Sequence, residues 1–113
     1  MIIAIDYDGT ITDNTPYPFE GKIRDNARIY IEKLWQDGHT LILWSARPEP
    51  YHQEALDRLN KECLLQYFTS IKKIGRGATG KIVADFYIDD RSYIGDVDWS
   101  QIYQYISRIG ETE

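Results

Sequence analysis

The sequence predicts an α/β fold: a Rossmann-like parallel sheet in the order 3-2-1-4, three layers deep, with helices on both faces and no cap domain. Three observations predict it. Short, almost unbroken apolar runs at Ile2–Ile5, Thr40–Trp44 and Asp85–Ile88 read as strands buried on both faces. Apolar stripes of helical spacing lie between and after these runs. Right-handed crossovers then lay successive strands to one side of the first, and the last strand takes its other edge.

Each element follows in order. Ile2–Ile5 is the first strand, and Gly9, Asn14, Pro16, Pro18 and Gly21 mark residues 8–21 as loop and turn. From Ile23 to about Gln36, the spacing of Ile23, Ala27, Tyr30, Ile31 and Leu34 predicts a helix, with Gly38 as its stop. Thr40–Trp44 is the second strand, and Pro48 and Pro50 break the chain after it. A second helix is expected from Glu54 to about Leu65, with Ala55, Leu56, Leu59 and Cys63 inward. Phe68–Ile71 reads as a short third strand, Gly75–Gly80 as a glycine-rich loop and Asp85–Ile88 as the fourth strand. Asp98 caps a last helix whose inward stripe is Trp99, Ile102, Ile106 and Ile109.

Composition narrows the function. At 113 residues the chain is sized for one domain, 1–113, with a real core. With 42% hydrophobic and 27% charged residues, it has the composition of a globular protein and not of a disordered tail. No apolar run approaches the roughly 20 residues of a membrane span. Met1 leads straight into the first strand without a leader-like segment, so the cytoplasm is the expected location. One cysteine, Cys63, excludes an internal disulfide framework and a cysteine-based zinc site. A net charge of −5 argues against non-specific coating of nucleic acid.

In such sheets ligands bind beyond the carboxyl ends of the strands. There the sequence offers Asp6-Tyr7-Asp8-Gly9-Thr10, Ser45-Ala46-Arg47 and Asp89-Asp90-Arg91. The predicted order makes these three ends neighbours, about 4.8 Å apart from strand to strand. Two carboxylates 5 Å apart repel by about 3 kcal/mol at an effective dielectric of 20. Asp6, Asp8, Asp89 and Asp90 together must bind a hard cation or hold a proton. An all-oxygen donor set suits Mg²⁺ rather than zinc, and magnesium's open positions suit phosphate oxygens.

Asp6-Tyr7-Asp8-Gly9-Thr10 after a first strand, Ser45 after a second, Lys81, and Asp89-Asp90 after a later strand resemble the four ordered motifs of the haloacid dehalogenase-like superfamily of phosphohydrolases. The resemblance covers nearly the whole chain. It implies a Mg²⁺-dependent phosphatase in which Asp6 attacks phosphorus and becomes an aspartyl-phosphate. It implies that Asp8 gives its backbone carbonyl to the metal while its side chain protonates the leaving oxygen and later deprotonates water. Gly9, Thr10, Ser45, Ala46 and Arg47 would surround the phosphoryl group, Lys81 would neutralise charge on it and on Asp6, and Asp89 and Asp90 would complete the magnesium shell. Lys72 or Lys73 could stand in for Lys81. The gaps between motifs have no room for a cap, so the resemblance is to a capless member with an open site. That suits a phosphorylated macromolecule end or protein, a phosphorylated small molecule, or a homo-oligomer whose partner supplies the lid.

Two other readings compete. A receiver-like signalling domain has the same size, but its acidic pair, phosphorylated Asp and Lys come in a different order. A binding module would keep fold and metal without turnover. Gly75–Lys81 fits the start of a phosphate-binding P-loop, but Ile82 stands where that motif needs Ser or Thr. Arg47 and Arg91 either bind a second anionic group of the substrate or pair with local carboxylates. Lys72, Lys73, Arg76 and Lys81 form a basic stretch that either steers a polyanion or is a solvated loop. His52 reads as an exposed bystander. Tyr17, Tyr51 and Tyr93 fall near the crevice, and Tyr30 and Tyr87 at the edge of the core.

Overall fold

Four strands make one parallel sheet in the order β3-β2-β1-β4: β1 (Ile2–Asp6), β2 (Thr40–Ser45), β3 (Phe68–Lys73) and β4 (Phe86–Ile88). The order is the one the alternation of strand and helix predicts. The computed structural model describes residues 1–13, 15, 19, 21–45, 47–73, 84–89 and 98–112. β1 pairs with β2 from Ile2↔Thr40 to Asp6↔Trp44, and with β4 from Ile3↔Phe86 to Ile5↔Ile88. β2 pairs with β3 up to Ser45↔Lys73, with a register shift between Leu41 and Ile42.

Strand side chains alternate between faces. Ile3, Ile5, Leu41, Leu43 and Ile88 share one parity, and all five join a single core. Three helices supply its other side: α1 (Asp25–Gln36) with Ala27, Ile31 and Leu34, α2 (Tyr51–Lys61) with Ala55 and Leu59, and α3 (Trp99–Thr112) with Trp99, Ile102 and Ile106. The three helices expected from the sequence are all described, and all three join this one core. No described helix is long and apolar enough to cross a membrane.

Helix ends follow local chemistry. Gly38 takes a left-handed φ of +90° just past α1, where a side chain would be strained. Asp98 Oδ1 accepts the Gln101 N–H at 3.1 Å, which caps α3 as expected. Ile109, at the far end of that stripe, is half-buried.

The structure corrects several expectations. α1 begins at Asp25, because Ile23 forms an antiparallel bridge with Thr12 instead. α2 begins at Tyr51, not Glu54, and ends at Lys61. Pro50 stands immediately before its first turn, where a missing N–H costs nothing, so the proline starts the helix and does not break it. His52 therefore joins the inward stripe with Ala55 and Leu59, and at 7% exposure it is not an exposed bystander. Cys63 lies past the helix end in a turn with φ +61°, exposed and not inward, and Leu64 takes the buried place. Tyr87 is not packed at the core edge. It has the opposite parity to Phe86 and Ile88 and is 46% exposed, its hydroxyl accepting the Ala84 N–H at 3.0 Å. Tyr30 is half-buried against the core, as expected.

Candidate active site

Asp6 closes β1 in extended backbone (φ −75°, ψ 152°) and is half-buried. Because Ile5 is paired with Ile88, Asp6 and Asp89 are the next residues along two adjacent parallel strands. On the other side Asp6 is paired with Trp44, and Ser45 follows as the last residue of β2. The parallel register thus gathers the ends of β4, β1 and β2 on one edge of the sheet.

The chain leaves β1 through an irregular turn, Tyr7–Ile11. Tyr7 and Ile11 are fully buried and anchor it in the core. Between them Asp8 is extended (φ −69°, ψ 126°) and Gly9 is left-handed at φ +76°, a reversal that glycine makes without strain. The Thr12 N–H donates to the Tyr7 carbonyl and the Gly9 N–H to Thr12 Oγ1, each at 3.2 Å. The Gly9 amide is therefore engaged within the loop. Arg24 donates to the Thr12 carbonyl at 2.9 Å and the Gly9 carbonyl at 3.1 Å, and Trp99 Nε1 donates to the Thr10 carbonyl at 3.0 Å.

The Asp13 N–H donates to the Lys22 carbonyl at 2.8 Å, and Arg58 of α2 donates to the Gly21 carbonyl. Hydrogen bonds from Thr15, side chain and then backbone, hold the Asp13 carboxyl below the usual carboxylate range.

Asp8 and Arg47 meet across 39 positions of sequence: Nε reaches Oδ2 at 2.8 Å and Nη2 reaches Oδ1 at 2.7 Å. The Arg47 guanidinium lies over the Tyr7 ring, 5.0 Å from its centroid, and the Arg47 N–H donates to Ser45 Oγ at 3.1 Å. Ser45 is itself buried at 2% exposure, and accepting that bond leaves its own proton available to donate.

Of the residues expected at the site, Asp6 and Asp89 are neighbours by register, Asp8, Ser45 and Arg47 are joined by contact, and Gly9 shapes the turn. Thr10 is fully buried, its Oγ1 without a partner. Ala46, Lys81 and Asp90 lie outside the described residues, as do Arg76, Arg91, Tyr17, Tyr93 and the glycine-rich loop. Lys72 and Lys73 stand opposite Trp44 and Ser45 in the β2–β3 register. Among the described residues no three His, Cys, Asp or Glu side chains converge as a metal-binding group. The two adjacent acids, Asp6 and Asp89, are oxygen donors, and magnesium commonly takes one or two carboxylates with water and phosphate completing its octahedron. The donor set fits Mg²⁺.

Three residues at this edge escaped the sequence reading. Arg24 and Trp99 hold the Asp8 loop through backbone carbonyls, which no periodicity reports. His52 was legible: with Ala55, Leu56 and Leu59 it has the i, i+3, i+4, i+7 spacing of a helix face.

No protein-family model matches the chain, and no curated protein matches it. It is similar to the solved structure of a conserved protein coded by a locus of Bacteroides thetaiotaomicron, with 36% identity, a TM-score of 0.80, and coverage of 96% of this chain and 90% of that one.

Proposed function

The chain belongs to the same family as that conserved Bacteroides thetaiotaomicron protein, and from its own residues we propose that it is a Mg²⁺-dependent phosphohydrolase of phosphomonoesters, a capless member of the haloacid dehalogenase-like superfamily. The observation that carries this reading is the gathering of Asp6, Asp8 and Asp89 on one edge of a parallel sheet, beside Ser45 of the neighbouring strand.

In the proposed reaction an Asp6 carboxylate oxygen attacks phosphorus, and the bond to the leaving oxygen breaks. Asp8 protonates that oxygen, so the alcohol departs and an aspartyl-phosphate remains. Water then attacks the same phosphorus, Asp8 takes its proton, the bond between phosphorus and the Asp6 oxygen breaks, and inorganic phosphate leaves with the Asp6 carboxylate regenerated. Ser45 donates to a phosphoryl oxygen, and Lys81 offsets its charge. Asp6 and Asp89, with Asp90 next to Asp89 in sequence, would hold the magnesium, which when bound would neutralise the carboxylates and the phosphoryl oxygens. The location proposed for such an enzyme is the cytoplasm.

A binding module without turnover is the second reading. It is favoured by the engagement of both Asp8 oxygens and the Gly9 amide within the protein. One experiment separates the two. The phosphohydrolase should release phosphate from aryl phosphates with Mg²⁺, fall silent in EDTA and recover when Mg²⁺ is returned. Beryllofluoride should raise its melting temperature only with Mg²⁺ present. Metal-independent turnover would refute the proposed site, and a metal-dependent thermal shift without turnover would establish the binding module.

A further inference from the structure

The Asp8–Arg47 pair differs from an ordinary surface ion pair. The Arg47 side chain is 1% exposed, whereas that of Asp8 is 33% exposed. The cation is thus the buried partner, and the acid is the one that faces out. Burying an arginine is tolerated only where its charge and donors are satisfied. Here two parallel N–H···O bonds of 2.7 and 2.8 Å and the face of the Tyr7 ring do this. A guanidinium this enclosed is poorly placed to receive a second anionic group of a substrate. It is well placed to hold one carboxylate. The pair also spans the two loops that the proposed reaction must keep in register, since Asp8 follows β1, Arg47 follows β2, and the Arg47 N–H holds Ser45 Oγ at 3.1 Å.

We infer that Arg47 is a positioning residue: it sets the Asp8 carboxylate at the mouth of the site and does not bind substrate. The inference rests on the phosphohydrolase reading and adds a consequence to it. Both Asp8 oxygens are engaged, so one must be released before Asp8 can reach the leaving oxygen. Arg47 therefore governs the protonated-leaving-group step and not substrate affinity. Lysine cannot replace it, because one ammonium does not offer the planar fork that holds two oxygens.

The test compares two substrates with Mg²⁺. p-Nitrophenyl phosphate has a leaving group that departs with little help from an acid, whereas phenyl phosphate needs one. General acid catalysis contributes about 10²–10⁴-fold where it is needed. In Arg47→Lys the ratio of kcat for phenyl phosphate to kcat for p-nitrophenyl phosphate should fall about tenfold or more, with KM for both near the wild-type value. Asp8→Asn should lower the same ratio, and adding Arg47→Lys to Asp8→Asn should lower it little further, because the two residues act as one unit. Lysine keeps the charge and much of the volume, and melting temperatures of all variants report folding directly. A raised KM for both substrates would make Arg47 a substrate contact and overturn the inference. So would an equal loss on both substrates, or an undiminished effect of Arg47→Lys in the Asp8→Asn background. A wild-type protein that hydrolyses neither substrate defeats the phosphohydrolase reading and this inference with it. An active wild type with an unchanged ratio in Arg47→Lys defeats this inference alone.

Discussion

The two ends of the sheet satisfy their polar groups in different ways. At the amino end the partners are close and complete: the Ile2 N–H meets Asp85 Oδ2 and the Asp85 N–H the Ile2 carbonyl, each at 2.8 Å, while the Thr40 N–H donates to the Met1 carbonyl at 2.9 Å. At the carboxyl end Thr10 Oγ1, Trp44 Nε1 and His52 Nδ1 are buried with no hydrogen-bond partner, and among the described residues these are the buried side-chain atoms left so. Thr10 lies in the turn after β1, Trp44 is the last residue but one of β2, and His52 is in the first turn of α2. A buried unpaired polar group costs about 1–3 kcal/mol. A fold that leaves three on one edge and seals the other is spending stability where the catalytic reading places the chemistry.

The sharpest way to break this contrast is Asp6→Asn. Amide and carboxylate are close in size, so the melting temperature should move little, whereas phosphate release should fall at least about a thousandfold. Turnover near the wild-type level would remove Asp6 as nucleophile. Gly9→Ala asks how much the turn itself matters. A side chain at φ +76° costs about 1–2 kcal/mol and would tilt the segment that carries Asp8, so stability and kcat should fall together. An unaffected melting temperature would show that the left-handed turn is not required. Trp99→Phe is milder. It keeps most of the ring but leaves the buried Thr10 carbonyl without its donor, for an expected loss of about 1–3 kcal/mol by denaturant unfolding. No loss would mean that the loop is held without α3.

Much of the amino-end scaffold and the sheet order were legible, because buried parallel strands announce themselves as apolar runs and right-handed crossovers leave few arrangements. The acids at the strand ends were legible for the same reason, since strand order alone brings Asp6 beside Asp89. What the sequence hid were the contacts made through backbone carbonyls and across long separations. Nothing near Arg24 points to the Gly9 carbonyl, and nothing local says whether Arg47 meets a substrate or Asp8. The end of α2 was hidden for a different reason. Asn60-Lys61-Glu62-Cys63 contains no glycine or proline, and the chain stops its helix by placing Cys63 itself at φ +61°. Reading the helix through that point put Cys63 on the inward face and, by starting it late, left His52 off the stripe it belongs to.

The amino end offers the smallest and cleanest prediction, because its titratable pair lies far from the proposed chemistry. His39 Nδ1 sits 3.2 Å from the Met1 amine, and the imidazole is half-buried. Burial first, and then the positive charge of that amine, hold His39 below the usual imidazole value, with Asp37 opposing. The folded protein therefore resists a proton that the unfolded chain accepts near pH 6.5. Where the unfolded state binds more protons, stability rises with pH. The contribution of His39 is thus complete above about pH 6.5 and declines as pH falls below it, until the folded imidazole is itself protonated. His39→Gln removes this titration while keeping a polar side chain at the site. Between pH 8 and pH 5 the wild-type denaturation midpoint should fall more steeply than that of the variant, and the pH dependence of phosphate release should be the same in both. Parallel midpoint curves would show that the pair does not contribute to stability, and a changed activity profile would show that the two ends of the sheet are coupled after all.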